Sequence, residues 1–229
     1  MVLSRSAVPR AFDRIATSYD RLTGANPGYR KHLEDSAARM ELAPDARILD
    51  LCCGTGLSTM ALRRVYPEAT LVGLDASEGM LARARTKDLD CEWVLGDATD
   101  PSAAGVEGTF DGILMAYGLR NLPDPDRGLQ NAFSLLAPGG VLALHEYALE
   151  DRRAEVIWNA VALGIIVPGG LLTAGSARIY RYLRRSVNEF DRADSLEKRM
   201  RRAGFRQVRR TSMSGWQRGI VHTFVGRRP

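Results

Sequence analysis

A chain of 229 residues that is 45% hydrophobic and 26% charged can bury a full α/β core, which excludes a disordered or low-complexity protein. Three cysteines, with Cys52 and Cys53 adjacent, argue against a disulfide framework and against a zinc site. The net charge of +5 is uneven, because residues 151–229 carry 17 Lys+Arg against 6 Asp+Glu and residues 1–150 are acidic by 6.

Taken in order, residues up to about 45 read as amphipathic helices around a loop at Gly24-Ala25-Asn26-Pro27-Gly28. A strand at about 46–51 breaks at glycines and leads into a helix to about 65, then a strand near 69–74. Ser77 caps a helix to about Arg85, and Glu92–Leu95 is a third short strand. Phe110 to Met115 is a fourth, and a helix from about Pro125 to Leu136 follows. Pro138-Gly139-Gly140 is a tight turn into a strand to Tyr147. Residues 151–185 read as two or three unusually apolar helices around a break at Pro168-Gly169-Gly170, and the stretch Val156–Leu172 falls short of a membrane span. A helix at about 194–203 ends at Gly204, and Val208–Met213 with Gly219–Val225 close as an antiparallel pair. This alternation predicts an α/β fold with a doubly wound, mostly parallel sheet.

The run Asp50-Leu51-Cys52-Cys53-Gly54-Thr55-Gly56 is a strand–loop–helix whose backbone, stripped of side chains, admits a nucleotide-like ligand. Asp75 ends the next strand, where an acid can hydrogen-bond a ribose. A dinucleotide fold places a third glycine where this chain has Thr59, and Asp50 would repel a pyrophosphate. A ligand carrying an ammonium and a sulfonium suits Asp50 better, which favours S-adenosyl-L-methionine over NAD.

Further motifs narrow the reading. They are Phe12-Asp13-Arg14-Ile15-Ala16-Thr17-Ser18-Tyr19-Asp20, Leu74-Asp75-Ala76-Ser77-Glu78-Gly79-Met80-Leu81, Tyr117-Gly118-Leu119-Arg120-Asn121, Tyr180-Arg181-Tyr182-Leu183 and Ala203-Gly204-Phe205. With the glycine loop and Leu136-Ala137-Pro138-Gly139-Gly140, they resemble the ubiquinone/menaquinone biosynthesis C-methyltransferases, class I enzymes using S-adenosyl-L-methionine. The resemblance implies a Rossmann-like, seven-stranded sheet with N-terminal helices and a helical insertion before the closing antiparallel strands. It implies one domain over 1–229, made of a helical lid (1–45), a cofactor-binding core (46–147), a substrate-binding insertion (148–190) and a closing helix and strands (191–229). Cofactor contacts are expected from Tyr19, Asp50, Gly54, Thr55, Gly56, Asp75, Ala76, Met80, Asp97, Ala98 and Ala116. Asp97 could equally cap the turn that follows it. The chain departs from the family at Gly215–Phe224 and in the loop 100–108, both of which can reshape the acceptor pocket.

Ring C-methylation needs a carbon activated by loss of a neighbouring hydroxyl proton, and hence a base or a cation for the oxyanion. Arg120 is expected to hold the oxyanion, and His145 or Glu146 to titrate, only one of which can face a pocket on an alternating strand. Tyr117, Arg120 and Asn121, with an aromatic wall of Trp158, Tyr180, Tyr182 and Trp216, are expected to bind the acceptor. The acceptor expected is a hydrophobic cyclic or phenolic molecule, by resemblance a prenylated quinol. A polyketide-like acceptor and a cofactor-binding protein without transfer activity stay open. No metal and no nucleic acid are expected. The location expected is cytoplasmic, with peripheral membrane contact through the basic C-terminal half, and a homodimer is allowed.

Overall fold

The computed structural model describes residues 4–24, 26, 28–174 and 178–229. Ala25 and Pro27 of the expected interhelical loop, and residues 175–177 of the expected insertion, lie outside the described residues. Seven strands form one sheet: β1 (Arg47–Leu51), β2 (Thr70–Asp75), β3 (Glu92–Leu95), β4 (Phe110–Ala116), β5 (Leu136–Tyr147), β6 (Arg206–Ser212) and β7 (Val221–Arg227). Their order is β3-β2-β1-β4-β5-β7-β6. Pairs from β3 to β5 are parallel, and β7 runs antiparallel to both β5 and β6. This is the doubly wound, mostly parallel sheet that the βαβα pattern predicts. The order reverses between β1 and β4, so a crevice opens at the carboxyl ends of these two strands.

Helices α1 (Val8–Asp13), α2 (Ala16–Gly24) and α3 (Tyr29–Ala38) precede the sheet. Helices α4 (Leu57–Val65), α5 (Glu78–Arg85) and α6 (Pro125–Leu135) follow β1, β2 and β4. Both faces of the sheet are covered, so its central strands are apolar on both sides. Leu49, Leu51, Ile113 and Met115 pack on one face, while Ile48 and Leu114 meet Leu62, Tyr66 and Met40 on the other. Local signals fix the helix starts. Ser77 Oγ accepts from Met80 N at 3.1 Å, Asp124 Oδ1 from Arg127 N at 3.0 Å and Asp151 Oδ1 from Ala154 N at 2.8 Å.

Two expected breaks are absorbed into regular elements. Pro138-Gly139-Gly140 lies within β5 as a bulge, where the register jumps from Phe110–Leu136 to Gly112–Val141. Gly139 adopts φ +80° there, and its N–H donates to the Arg228 carbonyl at 2.9 Å. Between α7 (Arg152–Val161) and α8 (Val167–Ala174) the chain makes a π turn, Ala162–Ile166, and stays helical through Pro168. Proline has no N–H to give and crowds the carbonyl four residues earlier, and the wider turn relieves that conflict. Arg152–Leu171 therefore forms one 20-residue run, long and apolar enough by length and composition to cross a membrane, contrary to the shorter stretch expected. Helices α9 (Arg178–Glu189) and α10 (Ala193–Arg202) complete the chain before β6.

A side chain at Gly140 would place its Cβ 2.9 Å from the Ala137 carbonyl oxygen and 3.1 Å from that of Phe110. Gly140→Ala is therefore expected to destabilise the fold by about 1–3 kcal/mol, measured by chemical denaturation, because backbone atoms cannot step aside as side chains do.

Candidate active site

A cavity of about 260 Å³ opens at the carboxyl ends of β1, β2 and β4. Its floor is the glycine loop. Cys52 and Cys53 N–H groups donate to the Leu74 carbonyl at 2.8 and 3.0 Å, which sets the loop against β2. Gly54 adopts φ +56°, and a Cβ there would meet no protein atom within 4 Å, so glycine leaves open space before the backbone. Asp75 braces the loop, accepting from Gly54 N at 2.8 Å and from Ser77 N at 2.9 Å. Each of its oxygens keeps a lone pair for a ligand hydroxyl. Burial raises its pKa, against the pull of those two backbone donors.

Of the residues expected to hold a cofactor, Tyr19, Gly54, Thr55, Asp75, Ala76, Met80, Asp97, Ala98 and Ala116 line this cavity. Asp97 also accepts from Thr99 N and Thr99 Oγ1, both at 2.8 Å, so the same side chain braces the turn and faces the cavity. Two carboxylates tie the N-terminal helices to it. Asp13 Oδ1 accepts from Ser77 Oγ at 2.5 Å and Gly79 N at 3.0 Å. Asp20 accepts from Thr55 Oγ1 at 2.5 Å and pairs with Lys87 at 2.6 Å.

Asp50 and Gly56 stand elsewhere. Asp50 is fully buried and faces α4, where Oδ2 accepts from Ser58 Oγ at 2.7 Å and Thr59 Oγ1 at 2.6 Å. Burial raises its pKa to about 7, against the two hydroxyl donors. It ties a strand to a helix and does not line the cavity. Gly56 is needed for its φ of +82° and for closeness to Trp93, whose ring a Cβ would meet at 3.0 Å.

The opposite wall carries Tyr117, Arg120 and Asn121, all three at the cavity as expected. Arg120, 4% exposed, sits in the 3₁₀ turn Leu119–Asn121 after β4. Its Nη1 donates to Glu146 Oε1 at 2.6 Å and to the Tyr117 carbonyl at 2.8 Å, and its Nε has no partner among the described residues. Burial works to lower its pKa, but the facing Glu146 carboxylate more than reverses that and holds it above the ordinary value. Asn121 donates to the Tyr117 carbonyl at 3.0 Å and accepts from Tyr182 Oη at 3.2 Å.

Neither His145 nor Glu146 lines the cavity, and each reaches it through a residue that does. Glu146 is spent on Arg120. His145 is fully buried between β4, β5 and α3. His145 Nδ1 lies 2.9 Å from Ser36 Oγ, and its Nε2 lies 2.9 Å from Tyr117 Oη, so both ring nitrogens are hydrogen-bonded within the protein. Burial, with His32 and His222 nearby, lowers the His145 pKa to about 3. A histidine neutral throughout the physiological range is a poor proton acceptor, and its position corrects the expectation that it is the base.

The expected aromatic wall is also redistributed. Trp158 is fully buried in a core with Tyr147, at a ring distance of 4.9 Å. Trp216 Nε1 donates to Asn26 at 3.2 Å away from the cavity, and Tyr180 covers Gly170 on α8. In their place the N-terminal helices supply Phe12, Tyr19 and Tyr29, with Tyr29 stacked 5.8 Å from Tyr117. Tyr29 has no sequence signal of its own. Cys52 and Tyr117, both at the cavity, have left-handed backbone (φ +66° and +57°), strain that concentrates at functional sites and that no composition reveals.

Residues 1–228 match the family model described as ubiE/COQ5 methyltransferase family. The chain belongs to that family. It is 34% identical to a demethylmenaquinone methyltransferase of Thermus thermophilus, over 95% of this chain and 100% of the relative. It is 35% identical to a 2-phytyl-1,4-naphtoquinone methyltransferase of Thermosynechococcus vestitus, over 89% of this chain and 92% of the relative. Its fold is similar to a chain in the complex of the Haloferax volcanii Trm112 methyltransferase activator with a methyltransferase. That likeness has a TM-score of 0.66 and 20% identity, and covers 95% of this chain and 97% of the other. As a ubiE/COQ5 family member the protein is a methyltransferase, and S-adenosyl-L-methionine is its cofactor. The residues present fit that group, with open space at Gly54, a carboxylate at Asp75 and Met80 and Ala98 as apolar lining.

The position of Asp50 gives a pH-dependent test. Between its ordinary value of 3.8 and about 7 the folded state keeps a proton that the unfolded state has lost. Its contribution to stability is therefore full below the lower value and is lost progressively as pH rises to the upper one. Relative to wild type, Asp50→Asn is expected to gain stability progressively from about pH 4 to about pH 7 and to hold that gain above it in denaturant titrations, while binding S-adenosylhomocysteine within about twofold by calorimetry.

Proposed function

We propose that this methyltransferase acts on a ring carbon of a hydrophobic prenylated quinol of the demethylmenaquinol kind. The observation that carries this reading is Arg120, a buried guanidinium on the cavity wall whose Nη1 is anchored by Glu146 and by the Tyr117 carbonyl. The names of the two curated relatives, both acting on naphthoquinone-type acceptors, support the same class.

The cofactor supplies an electrophilic methyl carbon when bound. The chain's part is to present a ring carbon in line with it and to keep water out. Phe12, Tyr19, Tyr29 and Tyr117 give the cavity an aromatic lining suited to a flat ring. Arg120 stays protonated, so it does not take the quinol proton; it stabilises the oxygen that has lost one, and charge on that oxygen is shared with the adjacent ring carbon. Glu146 keeps the guanidinium from turning away. Asn121, held by Tyr182 and the Tyr117 carbonyl, is a second polar group on the same wall. Asp75, Asp97 and Thr55 are the residues we assign to the cofactor at the other end.

Turnover on a demethylmenaquinol with a shortened tail should place the methyl on carbon, read by mass spectrometry and NMR. Arg120→Lys should lower kcat by about 10²–10³-fold with S-adenosylhomocysteine affinity kept, because a point charge cannot match the fork. Transfer to polyketide-like acceptors alone, or to none, would overturn the quinol reading. Separately, Asp75→Ala should weaken S-adenosylhomocysteine binding by about 10–100-fold in calorimetry, the cost of losing a charged hydrogen-bond acceptor.

A further inference from the structure

Exposed apolar side chains on this protein are concentrated in one place. Of five large hydrophobics exposed among the described residues, Val156, Leu163, Ile165 and Leu171 lie on the single helical run Arg152–Leu171. Only 22% of its apolar window is buried, so the helix is not a core element. Its opposite face is anchored, because Ala154, Trp158 and Ala162 pack into a core with Tyr147 and Val187. A helix fixed to the protein along one side and greasy along the other is built to lie in an interface, with no room to cross it.

The surroundings are basic. Arg152 and Arg153 are exposed at the start of the run, and α9, which packs against α7 and α8, exposes Arg181. The acids on these helices are engaged: Glu155 pairs with Arg192, Glu189 with Arg185, and Asp151 caps α7. The same surface adjoins the cavity. Ile179 and Tyr182 of α9 pack with Val8 and Ile15, and Val8 lines the cavity beside Arg5 and Phe12.

We propose that the exposed face of Arg152–Leu171, rimmed by Arg152, Arg153 and Arg181, docks the enzyme on an anionic phospholipid surface. The cavity wall formed by α1 then lies next to the bilayer. Charge decides between this occupant and a second copy of the chain. A second copy would present the same basic charge, whereas acidic headgroups complement it. The apolar side chains supply the affinity and the arginines the preference for acidic lipid.

Co-sedimentation of the full chain with phosphatidylcholine vesicles, with and without phosphatidylglycerol, tests this at about 50 and about 500 mM salt. Binding is expected only with phosphatidylglycerol and is expected to weaken at high salt. Leu163→Gln combined with Ile165→Gln should weaken it by roughly tenfold or more, and Arg152→Glu combined with Arg153→Glu should abolish binding to the phosphatidylglycerol vesicles. Thermal midpoint and S-adenosylhomocysteine affinity should stay at wild-type values, which separates lost docking from lost fold and from failure of the quinol reading. Absence of vesicle binding by a folded wild-type chain would overturn the proposal. So would wild-type binding by the Leu163/Ile165 variant, or sedimentation velocity showing a dimer that this variant dissociates.

Discussion

A buried ion pair organises the acceptor side of this enzyme. Glu146, fully buried at the end of β5, takes Arg120 Nη1 on one oxygen and the Arg120 backbone N–H on the other. Neither charge could remain in this interior alone, and removing one partner of such a pair costs about 3–5 kcal/mol. The pair therefore fixes the turn after β4. That turn in turn holds Tyr117 in its left-handed conformation, because Arg120 and Asn121 both donate to the Tyr117 carbonyl. With its backbone set, Tyr117 stacks on Tyr29 and its hydroxyl hydrogen-bonds His145 Nε2. One electrostatic constraint thus positions a cation, an amide and an aromatic ring on the same wall.

The opposite wall is organised by carboxylates that hold backbone. Asp75 bridges the glycine loop and the start of α5, and Asp13 joins the N-terminal helices to the same helix start. An N–H cluster at a helix start is positive, so an acid from another element is favoured there. Asp20 does the same work through the Thr55 hydroxyl and Lys87. The N-terminal helices are consequently structural parts of the donor end as well as a source of its aromatic lining.

Much of this was legible in the residues. Strand ends are visible where an apolar run stops at an acid, so Asp75 and the loop at Gly54 stood out, as did the sheet that carries them. Arg120 and Asn121 were legible because they follow a strand whose end must face the crevice. Asp50 lies off the cavity because a strand-end acid has two sides to turn to, and Ser58 and Thr59 in the first turn of α4 offer it hydroxyls. Alternation put His145 and Glu146 on opposite faces but could not show that the crevice lies beyond the strand, out of reach of both. Trp158 and Trp216 depend on how α7, β7 and the N-terminal helices meet, a matter of tertiary packing that local pattern does not encode. Left-handed backbone at Cys52 and Tyr117 is likewise imposed by distant partners.

The π turn before Pro168 bears on how the helix can vary in length. A π turn carries one residue more than an α turn for about the same advance along the axis. Its extra residue is taken up inside the turn, so α7, keyed into the core by Trp158, and α8, keyed to α9 where Tyr180 lies over Gly170, keep the phase that an unbroken α-helix gives them. Deleting one residue within 162–166 would regularise the ladder and leave both contacts in phase, but it would set the Pro168 ring against the carbonyl four residues earlier again. The bulge is in that sense slack in the thread: the helix can carry a proline, and one residue more or fewer, without unseating either neighbour.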